Sequence, residues 1–120
     1  MEFDGTTPMT YNDKKMLVFI ETKLFTQLVK KYLSDDEYRE LQQYIMKNPE
    51  VGNIVRGSGG IRKLRWAREG RGKSGGIRTI YYWAKARDQV YMLTIYSKSE
   101  KENIDKKTLA QIAKELESVQ

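Results

Sequence analysis

Among its 120 residues the chain has no cysteine, no histidine and only two prolines. The absence of cysteine excludes disulfides and thiolate metal sites. The absence of histidine excludes imidazole ligands, histidine-based triads and the usual acid–base partner near neutral pH. Any chemistry must therefore come from Lys, Arg, Tyr, Glu, Asp, Ser or Thr. Long apolar runs are also missing. The longest, Met-Leu-Val-Phe-Ile at residues 16–20, is far short of the roughly 20 residues that a bilayer-spanning helix needs. Residues 1–15 contain no apolar core of a signal peptide, so the expected location is the cytoplasm. What remains is 39% hydrophobic and 32% charged, the balance of a globular domain. The length suits one such domain.

The net charge of +6 is unevenly spread. Residues 56–98 carry eleven basic side chains (Arg56, Arg62, Lys63, Arg65, Arg68, Arg71, Lys73, Arg78, Lys85, Arg87 and Lys98) against Glu69 and Asp88, a net of +9. The rest of the chain, with 11 basic and 14 acidic residues, is at −3. A concentrated basic block on a slightly acidic scaffold is the electrostatic footprint of a phosphate-binding face.

Residues 1–15 are polar and without periodicity, and read as a flexible extension ahead of a single domain over 16–120. Residues 16–20 suit a buried strand. Thr22 can cap a helix on which Phe25, Leu28, Val29 and Tyr32 share one face. Ser34 and Glu37 have capping-box spacing at the head of a second helix, which Asn48-Pro49 ends. Residues 51–60 form a loop closing in Gly-Ser-Gly-Gly. Three strands follow, at 61–67, 77–84 and 90–96, the last apolar on both faces and so central. Asp105 can cap a final helix with Leu109, Ile112, Ala113 and Leu116 on one face. The order β-α-α-β-β-β-α predicts an α+β fold with helices packed on one face of a mostly antiparallel sheet.

Two glycine patterns dissolve on inspection. Residues 67–74, A-R-E-G-R-G-K-S, fit a relaxed P-loop, and Gly70, Gly72 and Gly75 fit G-x-G-x-x-G. Both motifs require a helix directly afterwards to hold the phosphates, whereas a β-type run follows here. The segment reads as a turn that carries basic side chains. Paired carboxylates and EF-hand spacing are absent, so no metal or other cofactor is implied.

The strands themselves carry the chemical signal. Ile61, Lys63, Arg65 and Ala67 alternate with Arg62, Leu64 and Trp66. Lys63 and Arg65 thus project from one face about 7 Å apart, near the spacing of neighbouring phosphates. Arg78 can reach them across the hairpin. Tyr81, Tyr82, Trp83, Tyr91 and Tyr96 add rings, and cations interleaved with rings suit single-stranded RNA, although strand alternation must send several rings, Trp66 among them, into the core. RNA brings its own nucleophile, the ribose 2′-OH. Arginines can stabilise charge on phosphorus, and a lysine set among other cations can exchange a proton.

The stretches G-S-G-G-I-R-K-L-R-W-A (57–67), G-R-G-K-S-G-G-I-R-T-I-Y-Y-W (70–83) and L-T-I-Y-S-K (93–98) resemble the RelE/ParE toxin superfamily, closest to its HigB-type branch. The likeness runs from about Met16 to the last helix. It implies a RelE-like fold and a toxin of a bacterial type II toxin–antitoxin system. It also implies a ribosome-dependent endoribonuclease that cuts mRNA in the 30S A site by 2′-OH attack and stops translation. The partners implied are mRNA, ribosomal RNA and a cognate antitoxin, usually a helix-turn-helix HigA-type repressor. Family active-site positions fall on Lys63, for proton transfer, and on Arg65 and Arg78, for the phosphoryl oxygens. Arg62, Arg68, Arg71 and Lys73 would hold RNA. Ser99 stands where RelE has an arginine, and no tyrosine follows Tyr96, so Tyr96 and Lys98 are the substitutes. Two other readings fit the superfamily or the composition: a ParE-type inhibitor of DNA gyrase, and an RNA-binding module without catalysis.

Overall fold

The computed structural model describes residues 2–11, 15–67, 76–98 and 106–118. Strand β1 (Phe3–Tyr11) and strand β2 (Lys15–Thr22) precede helix α1 (Lys23–Tyr32) and helix α2 (Asp35–Lys47). A two-residue strand β3 (Asn53–Ile54), then β4 (Ile61–Trp66), β5 (Ile77–Ala84) and β6 (Gln89–Ser97), lead to α3 (Lys106–Ser118). The six strands form one sheet in the order β1-β2-β6-β5-β4-β3. All neighbours are antiparallel except β2 and β6, which run parallel. The fold is α+β on a mixed sheet, and β6 is internal, as its two apolar faces require.

Local signals act where the sequence places them. Thr22 caps α1, its hydroxyl accepting from Phe25 N at 3.0 Å. The Ser34–Glu37 capping box closes reciprocally, Glu37 N donating to Ser34 Oγ and Ser34 N to Glu37 Oε1. A strand, not a helix, follows the glycine-rich turn, which removes the context that a P-loop needs; residues 68–75 themselves lie outside the described set, as does Asp105.

Three expectations are corrected. Residues 3–11, part of the 1–15 stretch read as a flexible extension, form the edge strand β1. The segment is rich in threonine and contains Pro8, and an edge strand tolerates proline because one side of it makes no ladder. An exposed edge also shows no apolar alternation to read. Second, the loop after α2 contains the short strand β3. Third, the helices do not share one face. Leu64, Ile77, Tyr81 and Met92 pack with α1 and α2. Ile61, Ile80, Tyr82 and Leu93 pack with Leu109, Ala113 and Leu116 of α3. Each central strand therefore buries both faces, which is why β5 and β6 are almost continuously apolar.

The loop joining α2 to β4 is tied down from beneath. The Tyr81 hydroxyl donates to Pro49 O at 2.8 Å and accepts from Gly52 N at 2.9 Å. A Cβ on Gly52 would lie 2.8 Å from Tyr81 Cε1, so only glycine permits this approach. Further on, Gly59 has φ of +79° and rests against α3, where an added Cβ would stand 3.1 Å from that of Ala113.

Tyr81→Phe leaves the buried Gly52 N–H unpaired, and is expected to lower stability by about 1–3 kcal/mol, read as a lowered urea midpoint. Burial pushes the Tyr81 hydroxyl above its ordinary value. Burial, reinforced by donation to Glu21 Oε2, pushes that of Tyr38 far above it. Both phenols then keep their proton in the folded state at pH values where the unfolded chain, with pKa about 10, releases it. Their contribution is complete below about pH 10 and is lost as pH rises beyond it. The urea midpoint is expected to fall in that range, and to fall less steeply in Tyr38→Phe.

Candidate RNA-binding site

The site is built by one feature, the register of β4 on β5. Arg65 is paired directly with Arg78, Lys63 with Ile80, and Trp66 with Ile77. On the far side of β5, Arg78 is paired with Tyr96. Paired residues share a face of the sheet, at about 4.5–5.5 Å between Cα atoms. Arg65, Arg78 and Tyr96 therefore stand in a row across three strands, on the face that α3 covers further along. Lys63 is one pleat back, on the same face as Arg65. Lys98 follows the end of β6, its backbone N donating to Gly76 O at 3.3 Å. This sets it beside the residue two before Arg78.

Exposure sorts these side chains from their neighbours. Lys63, Arg65 and Lys98 are exposed, while Arg78 and Tyr96 are half-buried. Ile61 and Leu64 between them are buried, one beneath α3 and the other beneath α1 and α2. The strand thus anchors itself through alternate residues and offers the cations between. Like charges directly opposite on a sheet destabilise it. Among the described residues no acidic side chain forms an ion pair with Arg65, Arg78 or Lys63. Two arginines paired across neighbouring strands are suited to an external anion, since the guanidinium fork matches phosphate oxygens.

The other basic residues divide. Arg62 does not join the row. It lies on the opposite face, its Nη1 donating to Glu50 O at 3.0 Å and to Gly52 O at 2.8 Å, so its fork is engaged in holding the loop. The repeated S-G-G-I-R sets Arg62 and Arg78 at equivalent sequence positions, yet the register sends them to opposite faces. Arg68, Arg71 and Lys73 lie outside the described residues. Of the rings, Tyr81 is fully buried, and Tyr82 and Tyr91 nearly so. Trp66 remains partly exposed, packed on Tyr44 of α2 with ring centroids 5.3 Å apart. A cavity of about 180 Å³ opens at the end of the hairpin between Arg65, Trp66, Ala67, Gly76 and Arg78. Ala67 and Gly76 carry no functional group, so nothing in the sequence marks them as lining it. Among the described residues no cluster of three His, Cys, Asp or Glu could hold a metal ion, and no helix is long and apolar enough to cross a membrane.

A mixed sheet with helices on both faces and paired arginines on its antiparallel strands defines a small α+β protein with a basic face. The family model described as the RelE toxin of the RelE/RelB toxin–antitoxin system matches residues 16–120. The chain belongs to the RelE family and is a toxin of a toxin–antitoxin system. Membership brings an antitoxin partner and action linked to the ribosome. The matched region begins within β2, so β1 lies outside it, paired along the edge of β2.

Because the register sets Arg65 directly opposite Arg78, Arg65→Thr is expected to leave the thermal midpoint unchanged or to raise stability by about 0.2–1 kcal/mol. The same change is expected to weaken binding of a short RNA. A clear loss of stability would mean that the arginine serves packing.

Proposed function

We propose that the chain is a ribosome-dependent endoribonuclease that cuts mRNA in the A site. The observation that carries this reading is the cross-strand pair Arg65–Arg78, flanked by Lys63, Tyr96 and Lys98. A toxin acting only through a protein contact with gyrase has no need of apposed guanidiniums, which cost stability unless an anion lies between them.

In the proposed reaction, the 2′-OH of the nucleotide before the cut attacks the adjacent phosphorus. A bond from 2′-oxygen to phosphorus forms, the bond to the 5′-oxygen breaks, and the products are a 2′,3′-cyclic phosphate and a 5′-hydroxyl. Charge grows on the two non-bridging oxygens as the transition state forms. Arg65 and Arg78 meet that charge with oriented N–H donors, which is worth most where water is excluded. Lys63, one pleat away on the same face, exchanges the proton. Tyr96 and Lys98, on the other side of Arg78, serve the second proton transfer, to the leaving 5′-oxygen. The cognate antitoxin in this reading is a helix-turn-helix protein of the HigA type, and the chain belongs to the HigB-type branch.

Cell-free translation followed by primer extension on the mRNA tests the reading. The wild type is expected to give cuts in phase with codons, lowered by about 100-fold or more in Arg65→Ala and Arg78→Ala. Lys63→Ala is expected to suppress cutting while retaining association with the ribosome. Arrest without cuts would overturn the nuclease reading, and inhibition of gyrase supercoiling would replace it.

A further inference from the structure

The two edges of the sheet are built differently. Strand β3, at one edge, has two residues, too few to template a further strand. Strand β1, at the other, has nine. It pairs on one side only, with β2, and the other side of its backbone is open. Without β1 the edge would be β2 itself, whose run Met16-Leu17-Val18-Phe19-Ile20 is apolar and uncharged. An edge of that kind pairs readily with a strand of another chain. β1 covers it, yet its nine residues include no Lys or Arg, the usual means of blunting an edge. They include Pro8 instead, which is exposed.

The direction of Pro8 follows from the hydrogen bonds of β2. Val18 N donates to Asp88 O at 3.0 Å, and Val18 is paired with Gln89 of β6. Its backbone groups therefore face β6. Those of Leu17 and Phe19 face the other way, toward β1, where their partners are Met9 and Thr7. Pro8 is paired with Val18, so its nitrogen and carbonyl turn away from β2. Those of Thr6 and Thr10, paired with Ile20 and Met16, do the same. The outer edge thus offers residues 6, 8 and 10, and the middle one has no N–H. A second copy laid antiparallel about residue 8 would set Pro8 against Pro8, and both hydrogen bonds of that central pair would be missing. At position 7 or 9 a proline would instead break the ladder with β2. We infer that β1 is an edge guard: it occupies the strand-pairing edge of β2, and Pro8 denies the outer edge of β1 to a second copy of the chain.

Sedimentation equilibrium of the full chain over a range of concentrations tests this. The wild type is expected to be a monomer. Pro8→Thr restores both donors of the central pair. It is expected to form dimers at concentrations about tenfold or more below any at which the wild type does. Adding Thr6→Pro to Pro8→Thr again removes two outer donors from each dimer, and is expected to return the chain to a monomer. A thermal midpoint close to that of the wild type shows that both variants fold. Adding Thr7→Pro to Pro8→Thr places the missing donor on the inner side, and is expected to lower the thermal midpoint. A dimeric wild type, a Pro8→Thr chain that stays monomeric, or equal thermal midpoints for the Thr6→Pro and Thr7→Pro double variants would overturn the inference.

Discussion

The antiparallel register of β4 against β5 is the constraint on which the molecule depends. One residue of slip would exchange the faces of every side chain on β4. Ile61 would leave α3, Leu64 would leave α1 and α2, and Arg65 would turn away from Arg78. Two separate cores hold the register, because each face of the hairpin buries its own apolar set. Tyr81 and Arg62 add a third hold, fastening the loop before β4 to the strands below it. Hydrophobic burial on both sides thus holds two like-charged residues opposite one another.

In the proposed reaction, that arrangement is how a chain without histidine would serve phosphodiester chemistry. The substrate would bring the nucleophile, and the protein would supply charge stabilisation and proton exchange. Arginine is suited to the first, since its fork stays charged and rigid. Placing it on central strands with both faces packed keeps it from the mobility of a loop, and preorganisation is what makes an oriented donor effective. The cost appears in the absence of a carboxylate ion pair for Arg65 and Arg78 among the described residues. Arg62, four residues before Trp66, shows the alternative: the same residue type on the opposite face, satisfied by two backbone carbonyls, holds structure.

Much of this was legible in the sequence. The caps at Thr22 and Ser34, the ends of β5, and the alternation of Lys63 and Arg65 against Arg62 and Leu64 are local matters, set by side-chain chemistry and a period of two. The basic block over 56–98 was plain from counting. Strand β1 was not legible, because an edge strand earns its place through a ladder with β2 rather than through apolar periodicity. The placement of α3 opposite α1 and α2 was not legible either. An amphipathic helix carries a face to bury but no statement of which side of a sheet will bury it.

The sequence by itself determined that imidazole and thiol chemistry are excluded, and it marked most of the segments able to fold as helices and strands, since these follow from composition and short-range pattern. Tertiary structure alone decided which cations meet. Arg65 and Arg78 are thirteen positions apart and become neighbours only through pairing. Arg62 and Arg78 open equivalent pieces of sequence and part to opposite faces. The physical reason is that strand register is fixed by burial on both sides of the sheet, a sum over long-range contacts that no short window of sequence contains.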